Sequence, residues 1–170
     1  RTSVRQLIHM IKAEIIGDSI NTTGNRITTF IVKFPRIILA ELNTHRALSK
    51  NSASSRAIPF ETMLEMVKSN PFIPIRFQKD HKGMQGTEGY GGEDHEQCVQ
   101  DWLSARDAAV SVATSFKFPV TKQLRNRLFE PFMWHTVIIT STEYENFFAL
   151  RAHEDAEIHI TDIAYKVLEV

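Results

Sequence analysis

Residues 27–46 read ITTFIVKFPRIILAELNTHR, and the pattern changes at the middle of the stretch. From Ile27 to Lys33 the residues are largely β-branched and alternate, the signature of a strand with one buried face. From Pro35 on, PRIILAELN holds helix formers behind a proline suited to a first helical turn. A strand therefore runs into a helix that ends near Asn43. Upstream, Ala13–Ile16 is a short β-type run and NTTGN at 21–25 is turn chemistry.

Downstream, Phe60, Met63, Leu64 and Val67 recur at helical spacing, so about 59–68 forms an amphipathic helix. The longest helix is expected from Glu93 to about Phe116. Val99, Trp102, Leu103, Ala109, Val110 and Ala113 make its apolar stripe, and Arg106 interrupts it. Pro119 ends it, and TKQLRNRLF is a shorter basic helix. Residues 133–141 (MWHTVIITS) form a strong strand, TEYENFFALR is helical, and Ile160, Ile163, Ala164, Val167 and Leu168 mark a closing helix. The order β, β, α, α, long α, α, β, α, α indicates an α+β fold, a small mixed or antiparallel sheet packed under several helices.

The bulk numbers bound the function. With 170 residues the chain suits one domain, read as residues 10–170. It begins without Met, and Met10 is a natural start, so residues 1–9 are read as an extension or a cloning remnant. Lys+Arg and Asp+Glu are both 20, so no global field draws the chain to nucleic acid or a membrane surface. No run approaches the roughly 20 apolar residues that span a bilayer. One cysteine, Cys98, excludes an intramolecular disulfide framework and fits a reducing, cytoplasmic compartment.

Against that neutral background, residues 43–59 (NTHRALSKNSASSRAIP) gather four Ser, two Arg, one His and one Lys with no acid. Ser52, Ser54, Ser55 and Arg56 precede a helix start near Pro59, a combination that cradles a phosphate. A polar turn between two helices accounts for the same residues, and local chemistry leaves both readings open. Arg127 lies on the basic helix, where a surface ion pair is the commoner fate of an arginine. Arg151 ends ENFFALR, whose Phe147, Phe148 and Leu150 suggest a buried neighbourhood. A buried guanidinium needs a partner, and a planar anion or a carbonyl edge suits its fork. Asn146, five residues before it, offers both donor and acceptor. Cys98 reads as a packed thiol, and AHEDAEIHI as a solvated helix start with acids in its first turn rather than a metal site. Five of the seven glycines lie between Gly83 and Gly92, a long irregular segment without the order of a nucleotide phosphate loop.

HRALSKNSASSR resembles the signature loop of flavin-dependent thymidylate synthases: an Arg-His-Arg triplet, seven residues, then a serine. His45 and Arg46 match the second and third triplet members, Ser54 the serine, and Asn51 and Arg56 further family positions; Thr44 stands where the triplet begins. ITTFIVKFPRIILAELNTHR is similar to the family's lead-in, RNRLFEP to a later Arg-x-x-x-Pro element, and ENFFALRAHEDAEIHI to its C-terminal block. The wording NSASSRAIP and EPFMW is nearest to a compact phage-type branch, which implies a cytoplasmic protein, in the host cytoplasm if it is phage-encoded.

The resemblance implies a homotetramer that binds FAD between subunits. Reduced flavin, supplied by NADPH, delivers a hydride to dUMP, and methylenetetrahydrofolate donates the carbon. It implies that His45, Arg46, Asn51 and Asn146 meet the flavin. Ser54, Ser55 and Arg56 hold the nucleotide phosphate with help from Arg127, Glu41 lies near the nucleotide, and Arg151 grips the pyrimidine carbonyl edge. The Gly83–Gly92 loop is expected as a lid or folate-side entrance. Two alternatives stay open: a hydroxymethylase of dUMP or dCMP, in which water replaces hydride, and a non-catalytic nucleotide-binding homologue.

Overall fold

The computed structural model describes residues 11–83, 86 and 88–170. The proposed extension at 1–9 and three positions of the glycine-rich loop lie outside these. The chain divides into two compact units: one runs to Ser52 and resumes at Trp134, and the other is Ala53–Met133.

The first unit is built on a four-stranded antiparallel sheet, β1 (Lys12–Ile20), β2 (Arg26–Pro35), β4 (Trp134–Ser141) and β3 (Ser49–Ser52), in the order β1-β2-β4-β3. The β1–β2 turn follows from its chemistry. The Asn21 side-chain carbonyl accepts from the Thr23 and Asn25 amides, and Gly24 takes φ +88°. On β2 the alternation expected from sequence is the burial pattern itself, with Phe30, Val32 and Phe34 buried. Val32 sits opposite Val137, and Phe30 opposite Ile139. The closing helix α6 (Ile158–Leu168) packs on β1 and β2 through Ile160, Ile163, Ala164 and Val167. Tyr144 ties the sheet to the start of α5 (Glu145–Arg151), its hydroxyl donating to the Thr28 and Ile139 carbonyls; burial pushes its pKa up to about 12.

A 3-10 turn over Arg36–Ile38 leads from β2 into the short helix α1 (Leu39–Asn43), whose Leu42 joins the core. The polar stretch that follows is not simply a turn: Ser49–Ser52 pairs with Thr140–Val137 as the edge strand β3. Its residues, SKNS, carry no β pattern, and pairing with β4 imposes the extended conformation.

The second unit is helical. Helices α2 (Phe60–Ser69), α3 (Gly92–Thr114) and α4 (Lys122–Arg127) surround Phe60, Met63, Val67, Ala113, Phe129, Phe132 and Met133. Arg106, which interrupts the α3 stripe, is explained by its contacts. Its guanidinium donates to the Val67 and Lys68 carbonyls at the end of α2, where a cation suits the helix dipole. Trp102 donates its indole N–H to the Phe72 carbonyl at 2.8 Å. The arms of the segment around the glycine-rich loop are bridged at Gln78 and Gly89. Among the described residues no helix is long and apolar enough to cross a membrane.

Candidate functional site

In the first unit, the end of α1, the turn after it and the end of α5 converge on one guanidinium. Helix α1 stops at Thr44, and a tight turn carries His45 into the core, where it is 6% exposed and meets the edge of Phe147 at 5.1 Å. Helix α5 presents Arg151 from its last turn. Arg151 Nε donates to His45 Nε2 at 2.8 Å, so the imidazole accepts there and carries its proton on Nδ1. Burial holds the His45 pKa below the usual histidine range, and the charges of Arg151 and Lys50 push it further down. His45 is thus a neutral acceptor suited to a permanent cation.

A second acceptor fixes the other side of the fork. Arg151 Nη2 donates to Thr44 Oγ1 at 3.2 Å, and that hydroxyl donates onward to the Glu41 carbonyl at 2.7 Å. An arginine at position 44 has no lone pair and could not accept this bond. Among the described residues Arg151 Nη1 has no partner, so the guanidinium is oriented but not used up. Glu41 Oε2 is buried and likewise has no donor among the described residues. A buried acceptor left in this state calls for a donor.

The other expected residues of this unit are differently placed. Arg46, in the turn, and Asn146, in the first turn of α5, are exposed; so is Asn51, which lies on β3 opposite Ile138. The structure therefore brings Thr44, His45 and Arg151 into one connected group, tied to the Glu41 main-chain carbonyl, and leaves these three as open polar side chains. Lys50, which sequence reasoning passed over, turns its ammonium onto the carbonyls of His45 and Leu48.

In the second unit, Ser54–Ile58 forms a turn held from below. Ser54 and Arg56 are exposed, whereas Ser55 is buried and the Ala57 amide donates to the Ser54 carbonyl at 3.0 Å. Asn126, 0% exposed, donates through Nδ2 to the carbonyls of Ser55 and Ile58 at 2.8 and 2.9 Å. Arg127 stays exposed and only 4.0 Å from Glu130. Its neighbour Arg125 is the engaged arginine, lying 3.5 Å over the Phe60 ring with Nε donating to the Ala113 carbonyl. The only local signal for Asn126 was a polar residue inside RNRLF; its partners lie some seventy residues earlier.

Two side readings resolve as well. Glu157 is the N-cap of α6, accepting from the His159 and Ile160 amides and pairing with His159 Nδ1 at 2.6 Å. Residues 152–157 are therefore not a helix start with acids in its first turn; the one acid that matters precedes the helix. Cys98 is half-buried on α3.

No protein-family description and no curated protein matches the chain. Solved structures do. The UMP/dUMP methylase PolB from Streptomyces cacaoi, bound with 5-Br UMP, superposes with a TM-score of 0.74 at 17% identity, over 92% of this chain and 86% of that one. The same protein bound with 5-Br dUMP gives 0.72 at 15% identity, over 92% and 87%. At such identity the likeness is one of fold: this chain has the α+β fold of a nucleotide methylase.

Proposed function

We propose that the chain is a pyrimidine-nucleotide methylating enzyme of the flavin-dependent thymidylate synthase type, converting dUMP to dTMP. The carbon donor in this reading is methylenetetrahydrofolate. FAD, reduced by NADPH, supplies the hydride that completes the methyl group. The observation that carries the reading is Arg151, held by two neutral acceptors with Nη1 left open. The shared fold with a UMP/dUMP methylase supports a uridine nucleotide as the acceptor.

The residues suit the chemistry. As C5 of a uracil becomes nucleophilic toward a one-carbon unit, negative charge grows on its O4 edge. A guanidinium already fixed in place stabilises that charge without reorganising. His45 keeps the fork rigid without adding a competing charge, and Thr44 sets its second hydrogen-bond direction. Glu41 Oε2 would take the donor it lacks from a nucleotide N–H or sugar hydroxyl. A flavin presents carbonyls and a diphosphate, all acceptors. Arg46, Asn51 and Asn146, exposed and uncommitted, are donors fitted to hold them.

One observation favours a second reading. Thr44 removes a cation from the triplet that the family directs at flavin, which suits hydroxymethylation, where water rather than hydride finishes the reaction. Labelled methylenetetrahydrofolate incubated with dUMP, UMP or dCMP, followed by product mass, separates the two. A 5-methyl product supports the first reading and a 5-hydroxymethyl product the second. A colourless protein that gains no flavin absorption with added FAD, and no product in either case, would leave a nucleotide-binding module. Sizing is expected to give a tetramer.

A further inference from the structure

We propose that Lys50 is a positioning residue for the Arg151 centre, its ammonium closing the His45–Leu48 turn and so holding the imidazole that orients the guanidinium. The role deepens the proposed function, since it concerns the same centre, but its geometry stands apart from any substrate.

A lysine on an edge strand ordinarily reaches into water, where it discourages sheet-to-sheet association. Lys50 does the reverse. It sits on β3 opposite Ile139, half-buried, and donates to the carbonyls of both His45 and Leu48. The backbone bond across this turn is long, from the Leu48 amide to the His45 carbonyl at 3.3 Å. Ser141 Oγ donates to the Ala47 carbonyl at 3.0 Å. Three carbonyls of a four-residue turn are therefore held by side chains of β3 and β4. The turn is short, and its first residue is the one whose ring meets Arg151 at 2.8 Å. Fixing the His45 carbonyl limits how the residue can rotate, and thus where Nε2 lies. Burial also lowers the Lys50 pKa, as expected for an ammonium drawn onto the protein.

A lysine that merely caps two carbonyls predicts a small loss of stability and, through its charge, a shift of the His45 titration, with kcat unchanged. A positioning lysine predicts more. In Lys50→Met, the His45 imidazole, followed by NMR, should titrate at higher pH, because one of the two cations acting on it, Lys50, is gone while Arg151 remains. Amide exchange at 46–48 should quicken. Turnover should fall about 10-fold, mainly in kcat, because a displaced guanidinium costs transition-state stabilisation rather than ground-state binding. Lys50→Arg, which can span both carbonyls, should recover most of each effect. If Lys50→Met unfolds, Lys50→Gln keeps one donor and serves for the same measurements. Unchanged kcat, or unchanged exchange at 46–48, in a folded variant would overturn the proposal. If the parent protein itself shows no turnover, the enzymatic reading fails, while the exchange still decides whether Lys50 holds the turn.

Discussion

Thr44 Oγ1 stands 3.2 Å from Arg151 Nη2 and 2.7 Å from the Glu41 carbonyl, so one hydroxyl accepts from the guanidinium and donates to the end of α1. The residue at which the resemblance to the signature triplet breaks is thus built into the Arg151 centre. The hydroxyl gives the site an acceptor and Arg151 a second fixed direction.

Thr44→Val keeps the shape and removes both bonds. Thr44 is exposed, so stability should fall by no more than about 0.5–1.5 kcal/mol. Turnover with dUMP should fall further, about 3- to 10-fold, because Arg151 then rests on His45 alone. Urea unfolding beside steady-state kinetics separates the two effects. A stability loss with unchanged kcat would mean that the hydroxyl serves only α1.

The pH dependence of folding follows from His45. Its folded pKa lies below the unfolded value of about 6.5, through burial first and then the charges of Arg151 and Lys50. As pH falls below about 6.5 the unfolded chain takes up a proton that the folded chain refuses, so stability must drop through that window. Above it, His45 contributes no slope. Urea midpoints from pH 8 to pH 5 should therefore decline for the parent and decline less for His45→Gln. Parallel profiles would show that His45 is not held neutral.

Asn126 makes a prediction for the second unit on its own. Its amide nitrogen serves two backbone carbonyls from a fully buried position. Asn126→Leu leaves both without that donor and should cost roughly 2–4 kcal/mol by urea unfolding. Asn126→Asp should be no better, since a carboxylate cannot donate to carbonyls. Stability within 0.5 kcal/mol of the parent for either variant would contradict the assigned contacts.

Much of this was legible from sequence, for physical reasons that differ by element. Phe30, Val32 and Phe34 announce β2 because a strand with one buried face must alternate. Met63 and Val67, or Ile160, Ile163, Ala164 and Val167, announce their helices for the same reason at a longer period. Strand β3 was hidden because Ser49–Ser52 is polar throughout and owes its conformation to β4. Arg106 read as a flaw in an apolar stripe until the end of α2 supplied acceptors for it. The Arg151 centre was half legible. The resemblance marked His45 and the aromatic run before it marked Arg151, but their bond joins residues 106 positions apart, and no local pattern encodes it.

Arg151 itself gives the strongest test. It is half-buried at the end of α5, and its known partners are one imidazole and one hydroxyl, both neutral. Removing it leaves no buried countercharge behind, so Arg151→Ala should lose only about 1–2 kcal/mol of stability. Turnover should fall at least 100-fold, since a fixed donor to developing negative charge supplies about that factor. Arg151→Lys keeps the charge but cannot reach His45 and Thr44 while offering a further N–H, so it should restore little. The His45 titration offers a check independent of activity. With the guanidinium gone, its pKa should rise toward the ordinary histidine value, whereas Lys in its place should keep part of the depression. Full activity in Arg151→Ala with unfolding at the parent temperature would remove the guanidinium from the chemistry altogether.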